Sequence, residues 1–368
     1  MNGIHTLIRC KDERREFSMH NELLNKFKGC LIGGAVGDAL GYAVEFVDDE
    51  FIFNKYGEYG ITEYSLINGI APISDDTQMT LFTANGLLSA RKAGVKCTEV
   101  KDYLSHIYHS YREWVAMQVE DYPLSCFDNP SRFSEIPELY ESRAPGRTCI
   151  SYLIHDNRGS VDNPVNDSKG CGGIMRVAPI GLFFDERTNL EFVAKLGAEA
   201  AALTHGHELG YLPAAMLSCI VHKVVYQPEI SLLDAITDSV SVCEKTYHSA
   251  GHLKEMKILL DKAIELSKED IDDLDAIREL GEGWVAEETL AIAVYCALKY
   301  EFDFEKAIIA SVNHSGDSDS TGSVTGNILG AYLGCGAIAQ KFKDTLELRG
   351  FIEKVAMELY EQITENIV

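Results

Sequence analysis

None of the ten cysteines stands in a CxxC pair or at zinc-ligand spacing from a histidine, so the chain carries no zinc-site signature. Reduced, mostly buried thiols are expected instead. Prolines are scarce, nine in 368 residues, so long helices run with few interruptions. No uninterrupted apolar run reaches the roughly 18 residues of a membrane span, and no membrane partner is expected. The first residues, MNGIHTLIRCKDERREF, mix both signs of charge where a signal peptide needs an apolar core. A cytoplasmic location is therefore expected. Basic residues are also in short supply: 33 lysines and arginines face 57 aspartates and glutamates, a formal charge of −24. Such a balance speaks against a nucleic-acid partner. It suits a cationic partner or site, although solubility alone accounts for many acidic proteins.

What is present is helical periodicity. Leu232, Leu233, Ile236, Val240 and Cys243 share one face, as do Leu253, Met256, Leu259, Leu260 and Ala263. Ile352, Val355, Ala356, Leu359 and Ile363 repeat the pattern near the C-terminus. Alternating strand patterns are rare, so the chain reads as all-α, a single orthogonal helical domain of about a dozen or more helices. Two stretches break the periodicity. Residues 120–148 hold four prolines among aromatic and charged residues, and residues 156–173 are turn-rich and end in glycines. Each reads either as a cleft-lining loop or as a plain connector.

Three acidic clusters lie among small and hydroxyl residues. In GCLIGGAVGDALGYAV the only charge is Asp38, and Gly33, Gly37 and Gly41 leave one helix face bare for the close approach of another helix. Asp38 in such a place needs a partner or caps a neighbouring helix; Glu45 follows it. The second cluster is Ser74, Asp75 and Asp76, at a helix start where a cap explains one acid better than two. The third is Asp317, Asp319 and Ser320. Its Asp-x-Asp with Gly322 matches the opening of an EF-hand loop, but position 12 is Ile328 rather than Glu, which rejects that loop. Three independent helix caps would account for these acids one by one. Taken together they point to a dinuclear site built from helix ends, with oxygen ligands that favour Mg²⁺ or Mn²⁺.

Seven ordered blocks carry a resemblance: GCLIGGAVGDALGYAVEF, SDDTQMT, RAPGRTC, SKGCGGIMRVAPIGL, LTHGHELGY, GEGWVAEETLAIAVY and NHSGDSDSTGSVTGNILGAYLG. The chain resembles the ADP-ribosylglycohydrolases, the family of the dinitrogenase reductase-activating glycohydrolase, from about residue 22 to near the C-terminus. Residues 21–368 then form the family domain and residues 1–20 an N-terminal extension. The resemblance implies an all-α fold with two Mg²⁺ (or Mn²⁺) ions at the floor of a cleft for ADP-ribose. It implies metal ligation by Ser74, Asp75, Asp76, Asp317, Asp319 and Ser320, the last a threonine in many members. Asp38 looks like a support for these ligands.

The same resemblance implies ligand contacts from the loop Lys169, Gly170, Cys171, Gly172 and Gly173, where some members have asparagine at the place of Cys171. It implies further contacts from His205 near the diphosphate, from Trp284 toward the distal ribose, and from Ser315 and Gly316 beside the metal aspartates. On residue type alone, His205 would be structural and Trp284 core.

The chemistry implied is hydrolysis of the glycosidic bond between ADP-ribose and a protein side chain, with catalytic Glu45, Asp75 and Asp319; a ligand aspartate or Glu45 takes the proton of the attacking water. RAPGRTC and GEGWVAEE favour the arginine-directed branch over a serine-directed one. The partners expected are an ADP-ribosylated protein and, in a second reading, a cognate ADP-ribosyltransferase toxin. In that reading the chain is an immunity-type protein and residues 5–17 an arm that docks on the toxin; a disordered leader is the plain alternative.

Overall fold

The computed structural model describes residues 2–96 and 99–364, with side chains from His20 to Ile363. Sixteen α-helices make up the described chain, joined by short 3₁₀ turns. The first eight are α1 (Asn2–Gly41), α2 (Asp49–Tyr56), α3 (Asp75–Lys92), α4 (Val100–Val119), α5 (Arg147–Ile154), α6 (Ala178–Phe183), α7 (Leu190–Ala202) and α8 (Glu208–Tyr226). The rest are α9 (Leu232–Thr246), α10 (Leu253–Leu266), α11 (Asp273–Leu280), α12 (Ala286–Lys299), α13 (Phe304–Val312), α14 (Ser318–Leu333), α15 (Gln340–Asp344) and α16 (Arg349–Thr364). Among the described residues there is no strand longer than an isolated bridge. The all-α expectation holds.

The apolar faces read from the sequence are the buried ones. On α9 these are Leu232, Ile236, Val240 and Cys243; on α10, Leu253, Met256, Leu260 and Ala263; Leu233 and Leu259, expected on the same faces, are only half-buried. On α16 the whole stripe from Ile352 to Ile363 is inside. The helix α8 is long and apolar enough to cross a membrane by composition, yet every residue from Leu209 to Val225 is buried within the protein. It is a core helix, apolar all round because other helices surround it. The eight cysteines with described side chains are free thiols and five of them are buried. Cys97 and the side chain of Cys10 lie outside the described residues, as do the side chains of residues 5–17, whose backbone continues α1.

One contact arranges the rest. The bare face of α1 meets an equally bare face of α14, and the two helices run antiparallel with Gly29 against Gly330, Gly33 against Gly326, Gly37 against Gly322 and Gly41 against Ser318. A Cβ on any of these glycines would fall less than 3.0 Å from the facing backbone. The main chains therefore touch, a separation that only glycine permits. Asn327 locks the register, since its Nδ2 donates to the Cys30 carbonyl at 2.9 Å. At one end of this seam, Asp38 and Glu45 from α1 and its exit turn are brought beside Asp317 and Asp319 at the start of α14.

A paired substitution tests the seam. Gly326→Ala is expected to destabilise the protein by about 2 kcal/mol despite alanine's better helix propensity, because its methyl group meets backbone rather than a movable side chain. Gly350→Ala, in α16 with nothing within 4 Å, is expected to be neutral or stabilising. Denaturant unfolding of both variants measures the difference, and equal effects would refute the close-packed seam.

Candidate active site

The acids converge. Oxygen atoms of Glu45, Asp317 and Asp319 lie within 4.8 Å of one another, close enough to share one ion. Asp75 and Asp76 line the same cavity, and all five are buried. Each arrives from a helix end. Asp317 caps α14, accepting from Ser320 N at 3.3 Å, while Asp319 Oδ1 accepts from the same N–H at 2.9 Å. Ser74 caps α3, its hydroxyl accepting from Asp76 N at 3.2 Å. Capping and convergence, which the sequence posed as alternatives, are both present.

Asp38 is the support that joins the two sides. It is fully buried, and its carboxylate accepts from Ser74 N at 2.9 Å and Thr77 N at 3.1 Å, with the Thr77 hydroxyl as a further donor. A carboxylate from α1 thus sits on the positive end of α3 and fixes the turn that carries Asp75 and Asp76. Asp75 is held from the other side, where Gly146 N donates to its Oδ2 at 3.0 Å. That bond ties the RAPGRTC segment to the acids.

Among the described residues no basic side chain forms an ion pair with these acids, although Arg147 lines the same cavity. Burial and then Asp319 raise Asp38 to about 7. Burial, then Asp319 and Asp317, raise Glu45 to about 11. Burial first and neighbouring carboxylates after it also push Asp76 and Asp317 well above the ordinary range. Glu45 Oε2 and Asp76 Oδ2 have no hydrogen-bond partner among the described residues. Buried carboxylates without partners call for a cation from outside the chain. An all-oxygen donor set of aspartate, glutamate and serine fits a hard divalent ion.

The remaining walls form a cavity of about 530 Å³, in the range that takes a small-molecule ligand. Gly170, Cys171 and Gly172 make one side, anchored where Cys171 N donates to Trp284 O at 3.2 Å and Ala286 N to Lys169 O at 2.9 Å. Burial first, then the negative charge of Asp317 and Asp76, pushes the Cys171 thiol well above its ordinary value. His205 lines the cavity behind this loop and is held down to about 3 by burial and by Arg176, hence neutral. Trp284 is not core: it is 40% exposed at the rim and stacks on Phe46, ring centres 6.0 Å apart.

Five sequence-derived candidates stand just outside the lining, the first being Ser74, fully buried beneath Asp75 and Asp76 as the cap of α3. Lys169 pairs with Glu287, and Gly173 is buried against Ala201. Ser315 Oγ accepts from Asp49 N at 2.8 Å, and Gly316, at φ +150°, lets the chain pass against the Glu282 carbonyl. They shape the loops that carry the site. Conversely, Phe46, Arg147, Thr148, Cys149 and Met175 line the cavity without having been singled out. All five lie within the blocks that carry the family resemblance, Phe46 ending the first, Arg147, Thr148 and Cys149 in RAPGRTC and Met175 after the glycine loop, but nothing in their residue types marked them.

The sign of the acid shifts gives a pH prediction. Groups whose folded values are raised stabilise the fold while protonated and lose that contribution as pH rises through the folded value. Metal-free protein is therefore expected to melt at lower temperature as pH rises from about 5 to about 8, Asp38 titrating near 7 within that window and Glu45 above it. Saturating Mg²⁺ or Mn²⁺ should raise the melting temperature more at the upper end than at the lower. Thermal melts with and without chelator measure this; a flat metal-free profile would refute it.

The chain is similar to known proteins over nearly its whole length. An uncharacterised protein of Archaeoglobus fulgidus is 27% identical over 340 residues, 91% of this chain and 96% of its own length. The human protein named ADP-ribosylhydrolase ARH3 is 25% identical over 361 residues, 88% of this chain and 90% of its own. A solved structure titled ADP-ribosylglycohydrolase-related protein complex superposes with a TM-score of 0.56 at 22% identity, covering 93% of this chain and 99% of that one, which extends the likeness to the fold. The ADP-ribosylglycohydrolase family model matches residues 19–367, nearly the whole chain, and the chain belongs to the ADP-ribosylglycohydrolase family.

Proposed function

We propose that the protein is a divalent-metal-dependent hydrolase that releases mono-ADP-ribose from modified protein side chains, with arginine as the preferred acceptor. The observation that carries the reading is the shared oxygen cluster of Glu45, Asp317 and Asp319 in a cavity that Gly170, Cys171 and Gly172 also line. Acids and a glycine loop in one cavity suit two different groups of one ligand. Ribose hydroxyls belong with the acids and a metal pair, and a diphosphate belongs with backbone N–H groups and His205.

Ser74, Asp75, Asp76, Asp317, Asp319 and Ser320 would hold the ions, two by our reading. Bound there, the ions would neutralise the carboxylates, grip ribose hydroxyls and acidify a water. The chain's own residues do the rest. Breaking the glycosidic bond builds positive charge on the anomeric carbon, which buried carboxylates favour. Glu45 takes the water's proton: it follows α1 at the cavity edge, and its Oε2 is committed to no donor among the described residues. Asp38 keeps Asp75 and Asp76 in place through the α3 amides.

Arginine preference rests on two features. The stacked Phe46–Trp284 pair next to Glu45 offers an aromatic face that a guanidinium can cover. The overall charge of −24 favours approach of a cationic segment. The relatives described above bear names that specify no arginine, so acceptor choice is the point for direct measurement.

Purified protein given arginine- and serine-linked ADP-ribosylated targets is expected to release ADP-ribose faster from the arginine-linked one. Release should stop with EDTA and return with Mg²⁺ or Mn²⁺. Asp317→Ala should lose both activity and the metal-induced rise in melting temperature. Glu45→Gln should keep much of that rise while kcat falls roughly a hundredfold. Turnover indifferent to chelation would sink the metal reading, and faster release from the serine-linked target would move the acceptor assignment alone.

A further inference from the structure

Arg176 is the one fully buried arginine among the described residues, and it touches no carboxylate. Its Nη2 donates to the Ala200 carbonyl and to Thr204 Oγ1, each at 2.8 Å, and its Nη1 points at Cys149 Sγ at 3.4 Å. The Tyr111 ring lies 4.3 Å from the guanidinium carbon. A buried cation answered only by neutral groups is costly, and burial of this kind marks a residue that does more than fill space.

What it does follows from counting hydrogens. A guanidinium only donates, so Thr204 Oγ1 accepts from Arg176. The threonine hydroxyl has a single hydrogen left to give, and His205 Nδ1 lies 2.8 Å away. The Cys149 sulfur is also within reach of that hydroxyl, but a thiol is a poor acceptor beside an imidazole nitrogen, and Arg176 already faces it. Were Nδ1 protonated instead, its N–H would take the second lone pair of Oγ1 and the hydroxyl hydrogen would be left to the sulfur alone; the better-satisfied arrangement gives that hydrogen to Nδ1 and leaves the ring proton on Nε2. That nitrogen faces Gly170 and Gly172 at the cavity wall and has no hydrogen-bond partner among the described residues.

We propose that Arg176 is a positioning residue: through the Thr204 hydroxyl it holds His205 as the Nε2–H tautomer, a neutral donor aimed into the cavity at an anionic ligand group. The tautomer is independent of what binds; only the identity of the acceptor, the diphosphate of ADP-ribose, rests on the function proposed above. Arg176 acts twice on His205. It orients the ring through threonine, and its charge opposes a second proton, which would trade a directional donor for a diffuse cation. The buried guanidinium also adds favourable potential behind the glycine loop, where the diphosphate would lie.

Histidine-labelled, ligand-free protein read by long-range ¹H–¹⁵N correlation, with His205 assigned through His205→Gln, tests the tautomer directly. The expected pattern is Nε2 protonated and Nδ1 bare. Thr204→Val, which keeps the shape and removes the hydroxyl, should shift the pattern toward Nδ1–H or a mixture, and Thr204→Ser should restore it. In calorimetric titration with Mg²⁺ present, Thr204→Val should weaken ADP-ribose binding roughly tenfold and Thr204→Ser should not. An Nδ1–H ring in the wild-type protein overturns the proposal without any variant, as does a pattern unchanged by Thr204→Val. A tautomer that responds while ADP-ribose affinity stays constant overturns the donation to diphosphate. The expected tautomer in a protein that binds no ADP-ribose would support the relay and count against the function assigned to the cavity.

Discussion

Glu45, Asp317 and Asp319 can share an ion only because α1 and α14 meet along bare backbone. Any side chain in the seam would hold the helices apart, and the two halves of the cluster, which come from opposite ends of the chain, would separate with them. The contact supplies little burial of its own, since glycines have no side chains to bury. Its contribution is geometric. The larger stabilisation comes from the surrounding apolar helices, α8 foremost, which keep the seam closed while the acids at its end repel one another.

That repulsion divides the carboxylates by task. Asp38 is saturated with donors from Ser74 and Thr77, so it serves the architecture of α3. Asp75 is half committed to Gly146. Glu45 and Asp76 keep a bare oxygen each. The gradient runs from structural to reactive across a few ångströms, and it is set by how many N–H groups of helix ends each acid receives. Helix starts are apt places for such a cluster, because their amides partly offset negative charge before any ion is present.

The sequence displayed the parts that are local. Periodic apolar positions, the glycine stripe of α1 and the acids embedded in small residues all follow from spacing along one helix, and the structure repeats them. The family resemblance carried the assembly, which spacing alone does not contain. Three features escaped for the same reason: they are pairings between distant segments. The Phe46–Trp284 stack joins residues of different loops, so Trp284 read as core by residue type but sits at the rim. Lys169, which the resemblance puts on the ligand, is claimed by Glu287 on α12. Arg176 stands in an apolar stretch, IMRVAPIGL, where nothing nearby in sequence foretells a cation wedged between Tyr111 and Thr204.

The antiparallel glycine seam extends from Gly41 back to Gly29, twelve residues or about 18 Å from the carboxylates. Its far end therefore works as a lever arm. A change in bulk at Gly29 or Gly330, remote from every ligand atom, tilts one rod against the other and alters the gap between the acids at the near end. The size of ion that the cluster would accept would thus be adjustable by residues remote from it, a dial outside the reaction chamber for natural drift and deliberate engineering.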